Sequence, residues 1–192
     1  MAHRFRRVFE EAGPGHHIGL FYSDLASAIA AAREYTLAGL LGGDFVCLVA
    51  PAEGCEDWSE LTTEIDESIR RGTLPDRFGC VFYPLSEIAT KDGQVKVNTF
   101  LSKIARLAAL RDAAHLRVVG RLLSPLWESG WEDAPLDAEA SVGEDAGFSF
   151  LCLYDLTHSG NGSGEARLRR VMDRHPHTIT QVGASLVTRD RG

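Results

Sequence analysis

Four short runs of nearly unbroken apolar residues, His17 to Tyr22 (HIGLFY), Phe45 to Ala50 (FVCLVA), Leu116 to Leu123 (LRVVGRLL) and Phe148 to Leu156 (FSFLCLYDL), are separated by segments long enough for helices. This alternation constrains the fold more than any other feature. A strand that is apolar on both faces must be covered on both faces, the condition met by a parallel sheet between two helix layers. Strands joined through helical crossovers run parallel because each crossover returns the chain to the same end of the sheet. The sequence therefore predicts a three-layer α/β protein with a mostly parallel sheet.

The intervening segments carry helix signals. Ser23 or Asp24 offers a capping oxygen to a helix over about 25–41, which Gly42 and Gly43 end. Residues 57–71 place Trp58, Leu61, Ile65 and Ile69 on one helical face and stop at Gly72. Cys80 to Tyr83 is a third short strand, and residues 87–95, with Lys91, Asp92 and Gly93, read as a surface loop. The clearest helix covers 97–114, with a buried stripe of Phe100, Leu101, Ile104, Leu107, Ala108 and Leu110. Pro125, Trp127 and Trp131 mark a loop that is either a lid or partner surface or is packed on the sheet, and a weaker helical stretch follows at 136–145. His158 to Gly164 (HSGNGSG) is a flexible connector before a last helix over 165–174. His175 and Pro176 lead into strands at 178–182 and 185–188, an antiparallel hairpin at the sheet edge. No repeat or linker interrupts the 192 residues, so one domain is expected, with its core at about 15–188.

Charge narrows the partners. Lys and Arg number 20 against 27 Asp and Glu, a net charge of -7 that repels a phosphate backbone. The clusters Arg4, Arg6, Arg7 and Arg167, Arg169, Arg170 are too small to reverse this, so no direct nucleic-acid contact is expected. No run reaches the roughly 18 apolar residues of a membrane span, and the start is polar and basic without a following apolar region and cleavage site. A cytoplasmic setting without membrane contact is expected. Cys47, Cys55, Cys80 and Cys152 lack framework spacing and read as buried reduced thiols.

The usual catalytic patterns are missing. The sequence contains no G-x-x-x-x-G-K-[ST] to wrap a phosphate in backbone amides, and Gly13 to Ile18 precedes a strand instead of following one. Ser163 is not at the centre of a G-x-S-x-G elbow, and neither C-x-x-C nor H-E-x-x-H is present. His16 with His17 and His175 with His177 are the dense histidine groupings, but metal ligands would have to converge from distant segments. Asp155, closing an apolar strand, is either a magnesium-type aspartate or a cap for the following loop. An enzyme using Asp155, or Cys152 with a histidine, is the weaker reading; no catalytic residue, metal or cofactor is assigned.

Three segments together resemble a known family. His17 to Tyr22, the helix ending AGLLGGD at Asp44 and the strand Phe45 to Ala50 resemble the opening of the methanogen/methylotroph sensory domain, MEDS. Leu116 to Gly120 is similar to its middle strand, and Leu151 to Asp155 (LCLYD), with His175 and Pro176 some twenty residues on, to its C-terminal signature. The resemblance implies a RecA-like fold related to circadian-clock-type ATPases but without their phosphate-binding loop. Phe21 to Ser27 (FYSDLAS) stands where that loop would be, and Gly120-Arg121 where an acidic residue would be expected. It also implies a sensor of small organic or hydrocarbon-like compounds that signals to transcriptional or signal-transduction machinery, here through a separate regulatory protein. Arg121 departs from the glutamate often found there in the family. The rival reading is a non-catalytic protein-interaction module, with homo-oligomerisation open. In a RecA-like core the ligand crevice lies at the carboxyl ends of the strands. The ligand-binding candidates are thus Phe21, Tyr22, Ser23, Arg121, Tyr154 and Asp155, with His17 and His175 as the histidines matching the family pattern.

Overall fold

The computed structural model describes residues 3–90, 95–113, 115–128, 147–158, 163–182 and 185–190. Seven strands form one sheet: β1 (His17–Tyr22), β2 (Phe45–Pro51), β3 (Phe78–Tyr83), β4 (Leu116–Gly120), β5 (Phe148–Asp155), β6 (His177–Val182) and β7 (Ser185–Asp190). Their order is β3-β2-β4-β5-β1-β6-β7, all parallel except β7, which pairs antiparallel with β6. The expected architecture is present, including the closing hairpin.

Side chains alternate across the strands and separate the core into two faces. On one face Ile18, Leu20, Val46, Leu48, Val119, Leu151 and Leu153 pack under α1 (His3–Glu10), α2 (Leu25–Gly42) and α3 (Ser59–Arg70). On the other, Cys47, Val49, Val118 and Phe150 pack against α4 (Leu85–Ile88), α5 (Val97–Ala109) and α6 (Ser124–Glu128), while Phe21 and Tyr154 meet α7 (Ser163–Arg174).

Several boundaries differ from the sequence reading, each for a local reason. The polar lead contains α1, because Phe9 and Ala12 are buried against α2, and burying one such aromatic side chain stabilises by about 1.5–3 kcal/mol. The 57–71 helix starts in a 3-10 turn at Cys55–Trp58, so its α-helical part begins at Ser59. The supposed surface loop starts with α4, whose Ile88 is buried. The α5 helix stops at Ala109 and leaves Leu107 and Leu110 exposed, not in the buried stripe. The β4 strand ends at Gly120, where φ is 140° and a Cβ would stand 1.8 Å from the Val49 carbonyl oxygen. Only glycine fits so close an approach. Of the four thiols, all unpaired by disulfides, Cys47 alone is fully buried; Cys80 is exposed on the edge strand β3, and Cys55 and Cys152 are half-buried. Burial pushes the Cys47 thiol up to about 12. The expected helix at 136–145, Trp131 and the turn at 91–93 lie outside the described residues. Trp127 lies in α6, with its side chain outside them.

One polar group fastens the first helices to the sheet. Arg117, in an apolar strand, donates from Nε to Asp44 Oδ2 at 2.6 Å and from a terminal nitrogen to the Phe9 carbonyl, and its guanidinium lies 5.2 Å from the Tyr35 ring centre. Gly39 makes room for it, since a Cβ there would be 2.7 Å from Arg117 Cδ.

Candidate functional site

At the carboxyl end of β1, where a nucleotide-binding RecA-like chain would place phosphates, the chain's own groups occupy the backbone donors. Asp24 caps α2, accepting from Ser27 N at 2.9 Å and from the Ser27 hydroxyl at 2.7 Å. Gln181, from β6, accepts from the backbone N–H groups of Ser23 at 2.7 Å and Asp24 at 3.2 Å, and its amide nitrogen donates to the Asp24 carboxylate. The N-terminal amides of a helix attract anions; here a resident carboxylate already fills that role. The Ser27 hydroxyl, the Ser27 amide and the Gln181 amide hold the Asp24 carboxyl below its ordinary range.

The other carboxyl ends are closed in similar ways. Asp155 accepts from Thr157 N at 2.8 Å and from its hydroxyl at 2.7 Å, the loop-capping arrangement. Arg121 points its Nε toward the Ser124 hydroxyl at 3.4 Å, while its own N–H donates to the Val49 carbonyl and its carbonyl accepts from the Tyr83 hydroxyl at 2.6 Å. Tyr22 is buried on the α2 face, opposite the other aromatic candidates.

A different group of candidates meets on the α7 face. Alternation in β1 sends His17, Gly19 and Phe21 to that side, and in β5 it sends Phe150, Cys152 and Tyr154 there; the parallel register sets His17 beside Phe150, Gly19 beside Cys152 and Phe21 beside Tyr154. His175, directly after α7, lays its ring over Gly19, where a Cβ would be 2.9 Å from the ring. His17 Nε2 is 3.2 Å from Cys152 Sγ, and the His17 and His175 ring centres are 4.1 Å apart. His175 Nδ1 is 2.9 Å from the Val171 carbonyl. A carbonyl only accepts, so Nδ1 carries the proton and Nε2 presents a lone pair. Phe21 stacks on Tyr154 at 5.1 Å, and both rings stand edge-on to His175. His17 and His175 are buried and Cys152 is half-buried.

Of the eight ligand-binding candidates, the fold thus brings together His17, Phe21, Tyr154 and His175, and separates Tyr22, Ser23, Arg121 and Asp155 from them. Cys152, which sequence reasoning read as a buried thiol or an enzyme residue and not as a ligand contact, lies within the group. The period-two pattern of LCLYD already put it on one face with Tyr154; the missing information was that β5 neighbours β1.

Comparisons with known proteins bear on the family and the fold. The model of the MEDS family, the MEthanogen/methylotroph, DcmR Sensory domain, matches residues 16–176. No curated protein matches the chain. Among solved structures, the Pyrococcus horikoshii OT3 protein PH0250 is similar with a TM-score of 0.66 at 7% identity, covering 96% of this chain and 90% of its own. The flagellar accessory protein FlaH from Methanocaldococcus jannaschii is similar with a TM-score of 0.50 at 12% identity, covering 98% of this chain and 83% of its own. At those identities the likeness concerns the fold alone, which is RecA-like. Since the family model spans most of the sequence and includes both His17 and His175, the chain belongs to the MEDS family of sensory domains.

Proposed function

We propose that this chain is a regulatory sensor that binds a small organic ligand and passes the event to a separate regulatory protein, without nucleotide hydrolysis. The observation that carries this reading is the β1–α2 turn, where Asp24 and Gln181 occupy the amides and hydrogen-bonding positions a triphosphate would need. Membership of a sensory family supports it. The buried cluster of Phe21, Tyr154, His17 and His175 combines apolar rings with a few directed polar atoms, the usual make-up of a small-molecule site. No helix among the described residues is long and apolar enough to cross a membrane.

The same observation favours a second reading, a protein-interaction module whose former nucleotide crevice is filled by side chains. Thermal unfolding separates the two. The purified chain is heated with magnesium-ATP and with a panel of small apolar and carboxylated compounds. A ligand present at 100 times its Kd stabilises the native state by about 2.7 kcal/mol, which for a chain of this size raises Tm by roughly 5–10 °C. The sensor reading expects such a shift from a panel member and none from magnesium-ATP. Stabilisation by magnesium-ATP alone would overturn it, and a flat response to the whole panel would favour the interaction module.

A further inference from the structure

The group between β1, β5 and α7 has a composition that small-molecule binding does not require. Two imidazoles and a thiol are gathered among Phe21, Phe150, Tyr154 and Val171, surroundings in which polar groups are costly unless they are well partnered. The ligand atoms of His17, Cys152 and His175 all lie within 4.8 Å of one another. In a tetrahedral site with Zn–N near 2.0 Å and Zn–S near 2.3 Å, neighbouring ligand atoms are about 3.5 Å apart. The 3.2 Å between His17 Nε2 and Cys152 Sγ is close to that value, so small side-chain rotations suffice to close the set on an ion.

We infer that His17, Cys152 and His175 form a binding site for one divalent cation of the zinc class, held through two imidazole nitrogens and one thiolate. The fourth position is left to water or another non-protein ligand, as in zinc sites with three protein ligands. Thiolate with imidazole selects zinc-class ions over magnesium or calcium, which take oxygen ligands, and no carboxylate is in the group. The Val171 carbonyl fixes the His175 tautomer so that Nε2 is the donor atom, the outer hydrogen bond that metal-binding histidines commonly make. Gly19 is the structural condition for the site, because any larger residue would displace the His175 ring. On binding, the metal–sulfur bond forms as the Cys152 S–H bond breaks and its proton leaves to solvent; the two imidazoles contribute lone pairs and remain neutral. The inference stands on these residues and does not depend on the small-ligand reading.

The test uses the whole chain, reduced, stripped of metal and titrated with Co²⁺ as a spectroscopic probe. One Co²⁺ per chain is expected, with thiolate-to-cobalt charge transfer in the near ultraviolet that one equivalent of Zn²⁺ abolishes. Cys152→Ser should remove the charge transfer and weaken Zn²⁺ binding by roughly 100-fold or more, with His17→Gln and His175→Gln weakening it at least tenfold. Cys55→Ser with Cys80→Ser should bind as the parent does. So should His16→Gln with His177→Gln, a second histidine pair whose ring centres are 5.5 Å apart. Should Cys152→Ser fail to fold, the unaltered chain gives the same answer: alkylation mapped by mass spectrometry should show Zn²⁺ protecting Cys152. The inference is overturned if the folded parent gives no cobalt–thiolate band, if the band survives Cys152→Ser, or if saturating Zn²⁺ leaves Cys152 alkylation unchanged. A chain that fails these metal tests can still respond to the small-molecule panel, so the two readings fail separately.

Discussion

At the carboxyl edge of the sheet the polar groups are closed on one another: Asp24 with Ser27 and Gln181 and Asp155 with Thr157 near the surface, and the Arg121 backbone with Val49 and Tyr83 beneath it. In the amino half they are buried and surrounded by apolar side chains: Arg117 with Asp44 and His115 on one face, His17 with Cys152 and His175 on the other. The first region uses short hydrogen bonds to end strands and start helices. The second holds groups whose desolvation has to be offset by specific partners. A RecA-like sheet can therefore lose the chemistry of its usual ligand edge and keep the architecture, because the helices and strands there need only to be capped.

The contrast can be broken at several points. The largest effect is expected from Gly120→Ala, which forces a Cβ onto the Val49 carbonyl at a φ that other residues rarely adopt. Urea denaturation should show a loss of about 4 kcal/mol or more, or no folded protein; a loss under 1 kcal/mol would mean that the β4 end is less tightly packed than described. Arg117→Met should cost about 3 kcal/mol in the same assay, because it leaves Asp44 without its cation and the Phe9 carbonyl without its donor.

The Asp44 carboxyl gives the comparison a pH axis. Burial alone would raise it, but the hydrogen bonds from His115 and Arg117 outweigh burial and hold it below its ordinary value near 3.8. A carboxylate depressed by folding contributes stability above its unfolded pKa, and that contribution is lost as pH falls through the lower folded value. Stability measured from pH 5 downward should therefore fall below about pH 4, and the portion due to Asp44 should be absent in Asp44→Asn. The smallest effect belongs to the exposed edge: Gln181→Ala should cost about 1 kcal/mol, and hydrogen exchange at the Ser23 and Asp24 amides should quicken. If Gln181→Ala also conferred magnesium-ATP binding, the turn would be a masked nucleotide site and the non-nucleotide reading would fall.

Much of the fold was legible because its strands announce themselves by being apolar on both faces, as in FVCLVA and HIGLFY. Residues without a periodic signal were not. The α1 helix lies in a polar lead where, among the described side chains, Val8, Phe9 and Ala12 mark an inner face, and the end of β4 depends on one backbone approach at Gly120 that no side-chain pattern reports. Phe100, Leu101 and Ile104 were read correctly as core, whereas Leu110 shares their hydrophobicity but falls beyond the last helical turn and is exposed. The candidate site was half legible. Alternation put His17 on one face with Phe21, and Cys152 on one face with Tyr154. That these faces coincide depends on β5 inserting next to β1, a long-range pairing that brings His17 to Cys152, 135 residues further along the sequence. Reasoning from the carboxyl ends of the strands directed attention to Arg121 and Asp155, which the fold uses for local closure.

The stretch from His175 to Gln181 meets β1 twice, with the His175 ring at Gly19 and the Gln181 amide at the Ser23–Asp24 turn. Between those points β6 runs in register with β1, from Ile18 beside His177 to Phe21 beside Thr180. Six residues of strand span roughly 20 Å, so this stretch acts as a connecting rod between a buried ring and a helix cap in solvent. A displacement of His175 is expected to reach the Gln181 end and, through its hydrogen bonds to Ser23 and Asp24, the first turn of α2. Hydrogen exchange at the Ser27 amide, followed as His175 is perturbed, reads that transmission directly.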